Sequence, residues 1–172
     1  MARFHEEIAR IAAAYDGPLA VVVARGAHIG SPESALNILA PVRGNKVSRR
    51  GAEVALAIAR TSGSPMTALY VLSTVGLGAA QRRLKHRTAT HSHEEGVLRE
   101  IVNLADRYDW PIRTALRLAV APEDAILRQA RLGKHNVIVM GVGHPAGETL
   151  FFGNVAAAVL ANSDRSILFL SS

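Results

Sequence analysis

The stretch VIVMGVGHPAGETLFFGNVAAAVL, residues 137–160, holds the residues of this chain best suited to chemistry. Apolar residues of strand type run into Gly141 and Gly143, then a loop, then Gly153-Asn154 and an alanine-rich helical segment. Glycines let a backbone turn tightly and leave its N–H groups open to an anion. A helix starting near Gly153-Asn154 adds orphan amides and a positive dipole end, which suit a phosphate. A second candidate, APVRGN at residues 40–45, brings the Arg43 guanidinium, which can hold phosphate in a bidentate manner. His144, inside the glycine loop, reads equally as an anion contact or an exposed turn residue.

Other reactive-looking residues read as ordinary structure. In HSHEE, residues 91–95, the two imidazoles suggest a metal, but Ser92 and Glu95 have the spacing of a capping box that opens a helix. There is no nucleophile elbow, H-E-x-x-H, Walker A loop or carboxylate pair at a strand end, and Ser48 and Ser73 lack an identifiable base. The expectation is a protein that is not an enzyme. The chain has no cysteine, which excludes disulfides and thiolate metal sites and suits a reducing cytoplasm. The net charge of +6 is dispersed, apart from QRRLKHR at residues 81–87. That patch lacks interleaved aromatics, so it reads as a solvated loop and no nucleic-acid partner is expected.

The elements that must position these residues follow from the apolar pattern. With 172 residues, 49% of them apolar, the chain suits one α/β domain with a core of Ala, Val, Leu and Ile. Strands are expected at LNILAPV, TALYVLS, IRTALRLA, NVIVM and ILFL. Between them lie helical spacing at Val47, Val54, Ala55, Ile58 and Ala59, and a polar loop over residues 74–92. A helix follows with Val97, Leu98, Ile101, Val102, Leu104, Ala105 and Tyr108 inward, then PEDAILRQARL and a last helix over residues 154–161. Strands alternating with helices imply a doubly wound parallel sheet, helices on both faces.

One repeat is visible. Glu7–Val23 and Asn154–Leu170 both read as an alanine-rich helix, a turn and a short apolar strand, at an offset of 154 − 7 = 147 residues. Residues 1–30 are therefore expected to be the tail of an upstream copy, and residues 31–172 the main domain. The apolar edge of the final ILFL strand needs cover, either from another subunit or from LAVVV of that N-terminal unit.

The segments ILAPVRGNKVSRRGAEVALAIA, RLAVAPEDAILRQARLGKHNVIVMGVG and FFGNVAAAVLANSDRSILFLSS resemble the universal stress protein family. The resemblance implies a five-stranded parallel sheet with helices on both faces, pairing of two copies through edge strands, and ATP, ADP or AMP, with magnesium, bound beside the fourth strand of that fold. It implies a nucleotide site at Pro41, Val42, Arg43, Gly44, Val71, Met140, Gly141, Gly143, His144, Gly153, Asn154 and Val155. The sequence departs from the family's G-x2-G-x9-G-[ST] pattern. Gly143 and Gly153 keep the x9 spacing, Met140 stands where the first glycine belongs, Asn154 replaces Ser or Thr, Arg43 replaces an aspartate, and Glu148 puts a carboxylate in the loop. A narrower resemblance, to the soluble C-terminal part of bacterial cation/proton antiporters, implies a regulatory module on the cytoplasmic side of a membrane transporter in the same chain. A free-standing nucleotide-binding stress protein and a dimerisation module with an empty site remain alternatives.

Overall fold

The computed structural model describes residues 8, 10, 14, 15, 17–31, 33–73, 91–119, 121–143 and 153–171, with the backbone alone at positions 91 and 92. Strands β1 (Leu19–Val23), β2 (Ile38–Val42), β3 (Met66–Ser73), β4 (Arg113–Ala119), β5 (Val137–Gly141) and β6 (Ser166–Ser171) form one sheet. Their order is β1-β6-β5-β2-β3-β4. β2 to β6 pair in parallel, as expected, while β1 adds an antiparallel strand on β6. The five-stranded sheet thus becomes six-stranded, because the N-terminal segment joins it.

Helices α1 (Ala27–Gly30), α2 (Lys46–Ser62), α3 (His91–Arg107), α4 (Pro122–Leu132) and α5 (Asn154–Asn162) connect the strands. Buried residues of α2 and α3, among them Ala52, Leu56, Ile101 and Ala105, pack on one face with Ile38, Ala40 and Val42. On the other face Ile126, Leu127, Ala156 and Val159 of α4 and α5 cover Leu39, Leu69, Ile138 and Phe169. β2, β3, β5 and β6 therefore bury residues of both alternating sets, which is why they read as continuous apolar runs, whereas the edge strands β1 and β4 are only partly covered.

Element ends follow local chemistry. Asn45 caps α2, its Oδ1 accepting from the Ser48 N–H at 2.8 Å, and Gly63 ends the helix in the left-handed region at φ 65°. Pro122 opens α4, where a missing N–H costs nothing. The capping-box expectation at Ser92 is corrected. α3 begins at His91, so Ser92 lies inside the first turn, and Glu95 is exposed. Tyr108 is also corrected. α3 ends at Arg107, and the exposed Tyr108 belongs to the turn before Trp110-Pro111. Trp110 is anchored through its Nε1–H, which donates to the Ser64 carbonyl at 3.3 Å.

A polar junction joins the N-terminal ends of β2 and β5. The Asn37 side chain donates to the Gly133 carbonyl at 3.0 Å and accepts from His135 Nδ1–H at 2.9 Å. The Asn37 backbone N–H donates to Asn136 Oδ1 at 2.7 Å. Burial, and secondarily the nearby Arg113 charge, hold the His135 pKa below its ordinary value. Among the described residues no helix is long and apolar enough to cross a membrane.

Candidate functional site

Chain direction makes the crevice. From β2 the sheet runs outward to β3 and β4, then returns to β5 on the opposite side of β2. Beyond the carboxyl ends of the strands at such a reversal, the connections leave to opposite faces and a gap opens. Pro41 marks it. β2 stays paired with β3 through Val42↔Tyr70, but pairs with β5 only at Ile38↔Val137 and Leu39↔Ile138. Pro41 has no N–H for a ladder bond, and this is where the two central strands have parted.

The first turns of α2 enter one side of the gap. Gly51 and Gly141 let the helix and β5 touch backbone to backbone. A Cβ on Gly141 would lie 1.9 Å from the Val47 carbonyl oxygen, and one on Gly51 would lie 2.4 Å from the Gly141 nitrogen. Gly141 is therefore required by helix–strand packing, whatever else the loop does. Asn45 and Ser48 fix this corner, with Ser48 Oγ donating to the Asn45 carbonyl at 3.1 Å and accepting from the Arg43 N–H at 3.1 Å.

A cavity of about 320 Å³ remains at the strand ends, within the usual size for a small-molecule site. Pro41, Leu69, Val71, Ile126, Met140 and Val142 give it apolar surface, and Arg43, Asn45, Ser48 and Ser73 polar surface. Val42, Val47, Pro122, Gly141, Gly143, Val155 and Ala156 complete the described lining, which holds no Asp or Glu. The first turn of α5 borders it. Gly153 is the N-cap at φ 89° without a side-chain cap bond, and the Ala157 N–H makes the first intrahelical bond, to the Gly153 carbonyl. The three amides before Ala157 have no intrahelical acceptor, and two of them belong to cavity residues Val155 and Ala156. An apolar floor beside uncapped amides and one guanidinium suits a ligand with a flat apolar part and an anionic part.

Of the expected site residues, Pro41, Val42, Arg43, Val71, Met140, Gly141, Gly143 and Val155 meet at this cavity. Gly44 points elsewhere. At φ 77° it packs toward Val97, whose Cγ2 would lie 2.6 Å from an added Cβ, and it lines a separate hollow of about 110 Å³ against α3. Gly153 and the exposed Asn154 stand at the helix start next to the cavity. Asn154 is the first helical residue and not the cap. His144 and Glu148 lie outside the described residues, as does the basic patch at residues 81–87. His93, the described imidazole of HSHEE, is exposed.

Sequence reasoning did not select Asn45, Val47, Ser48, Leu69, Ser73, Pro122, Ile126, Val142 or Ala156. The available signals were N-x-x-S at a helix start and a proline opening the helix after β4. Arg43 lies at the rim and is near enough to Tyr70 to act on it. Burial raises the Tyr70 pKa, Glu94 raises it further, and Arg43 opposes both. A wider trough of about 820 Å³ along the outer side of α2, by Val54, Ile58 and Tyr108, is open to solvent and lies on the helix surface, away from the strand ends.

Comparison with known proteins agrees with this fold. The family model described as "Universal stress protein family" matches residues 35–170. No curated protein sequence matches the chain. Among solved structures, a universal stress protein from Archaeoglobus fulgidus in complex with dAMP superposes with a TM-score of 0.60 at 19% identity, covering 78% of this chain and 97% of that one. A universal stress protein family protein from Arabidopsis thaliana with AMP bound gives 0.59 at 16%, covering 79% and 91%. A further universal stress protein, from Archaeoglobus fulgidus DSM 4304, gives 0.65 at 16%, covering 88% of this chain and 50% of that one.

Proposed function

The chain belongs to the universal stress protein family, and from that premise we propose that it is a non-enzymatic sensing domain that binds an adenine nucleotide in the cavity at the strand ends. The observation that carries this reading is the pairing of an apolar floor with the uncapped start of α5 and Arg43, in a lining without described carboxylates. The base and ribose would rest on Pro41, Leu69, Val71 and Met140. The phosphates would face the Val155 and Ala156 amides and the Arg43 guanidinium. Relatives of the same fold holding AMP and dAMP support the choice of nucleotide. The departures at Met140, Asn154 and Arg43 change the donors, so the phosphate end is where this chain would differ from those relatives. ATP would bring any magnesium on its own phosphates.

The test needs only purified protein. It is denatured, and the supernatant is chromatographed for ATP, ADP and AMP, with a mock preparation beside it. About one nucleotide per chain is expected for a tight site; an empty supernatant together with no binding at millimolar ATP or AMP would leave a module with an empty site.

A finer reading places the domain on the cytoplasmic side of a cation/proton antiporter, where nucleotide occupancy would bias transport. It rests on the ILAPVRGN, SRRGAEVA and GN segments and their likeness to such modules. Its test is the uninterrupted reading frame ahead of Met1. Some ten apolar spans there would support it, and a stop codon or a soluble domain would refute it.

A further inference from the structure

β1 is patterned as a strand covered on both faces, LAVVV, yet only one face is covered. Val21 is buried on the α4–α5 side, whereas Val22 on the other side is 70% exposed. Its position repeats another part of the chain. At an offset of 147, Leu19 corresponds to Ser166, the first residue of β6, since 19 + 147 = 166. The segment equivalent to α5 is 7–15, from 154 − 147 and 162 − 147. Helical residues 8 and 10 fall inside it, as does the turn closed by the Ala14 N–H on the Arg10 carbonyl at 3.1 Å.

The two copies face one another. Ala20 pairs with Leu170 and Val23 with Ile167. Because 20 + 147 = 167 and 23 + 147 = 170, the same two repeat positions meet twice, across a local two-fold axis between β1 and β6. A clasp holds the end of β1. Ser166 Oγ accepts from the Arg25 N–H at 2.9 Å, donates to the Arg25 carbonyl at 3.1 Å and lies 2.8 Å from His28 Nδ1. The Arg25 guanidinium donates to the Ser163 carbonyl. The Archaeoglobus chain of which half is matched covers 88% of this one, against 78% for the dAMP-bound protein, so more of this chain than the main domain superposes on it.

We propose that β1, with the helical residues 8 and 10 ahead of it, repeats the α5–β6 unit and closes the β6 edge within one molecule. A bare β6 would present an apolar edge of unpaired N–H and C=O groups and would require a second chain. β1 satisfies that requirement in cis, and the Ser166 clasp keeps it seated, so the β6 edge is closed to a second copy while the clasp holds.

The chain lacks cysteine, which gives a direct test. Ala20→Cys with Leu170→Cys puts two thiols at directly opposed positions, about 4.5–5.5 Å apart at Cα and within disulfide reach. On oxidation the expected product is an internally bridged monomer, of faster mobility on a non-reducing gel, and the unmodified chain should sediment as a monomer at micromolar concentration. A covalent dimer would mean the strand is exchanged between molecules, and two unreacted thiols in a folded chain would mean β1 is not seated. Either overturns the proposal. Ser166→Ala supplies the second arm. Exchange of the β1 amides should quicken by about tenfold, the equivalent of one or two hydrogen bonds, with no such change in β2. Unchanged β1 exchange would remove the clasp from the account.

Discussion

Gly141 shows how one residue can carry a packing constraint beside the role its sequence position suggests. From sequence it belongs to an anion loop, but here it is the point where the α2 backbone meets β5. Gly141→Ala should destabilise the fold by about 1–3 kcal/mol, as overpacked sites do, measured as the shift in urea midpoint with Trp110 as the probe. Loss of ligand in that variant would report on folding. Arg43→Gln is the cleaner probe of the phosphate end, because the Arg43 side chain is exposed. It should weaken nucleotide by about tenfold or more and leave the urea midpoint unchanged. His135 gives a pH prediction. Its folded pKa lies below the ordinary value of about 6.5, so its contribution to stability is complete above that value. The contribution is lost as pH falls through 6.5 and then through the folded value, because the unfolded chain takes up the proton first. Urea midpoints between about pH 8 and pH 5 should show this loss, and His135→Gln should remove that part of it.

At the scale of elements, the central strands β2, β3, β5 and β6 were legible because they bury both faces, and apolar runs record that directly. PEDAILRQARL was legible to the residue, since a proline start and Gly133 bracket it. The start of α3 was not. Ser92 and Glu95 satisfy a capping pattern, yet the helix takes in two more residues, His91 and Ser92, and pattern alone cannot choose between neighbouring starts. The cap of α2 was legible in principle, in Asn45 followed three residues later by Ser48, but the glycines drew attention from it. Asn45→Ala should cost about 1 kcal/mol of stability. It should also loosen the corner that holds Arg43 through Ser48, so weaker nucleotide binding is expected alongside, read in the same denaturation and titration experiments.

For the molecule as a whole, the strand order could be anticipated because parallel strands with right-handed crossovers admit few arrangements. The meeting of residues 41–48, 69–73, 122–126, 140–143 and 155–156 around one cavity could not, as it depends on how far β2 and β5 separate beyond Leu39. The partner of the β6 edge was legible only as a choice. An apolar last strand says that it needs cover, and either another subunit or LAVVV of the N-terminal unit could supply it; the register of β1 on β6 decides for LAVVV. The central claim remains that this crevice takes one adenine nucleotide, and calorimetric titration of AMP and of ATP with magnesium into the nucleotide-stripped chain tests it most directly. The account predicts saturable heat at one site per chain, weakened in Arg43→Gln; the absence of heat for both ligands at millimolar concentration, in protein that still unfolds cooperatively, would contradict it.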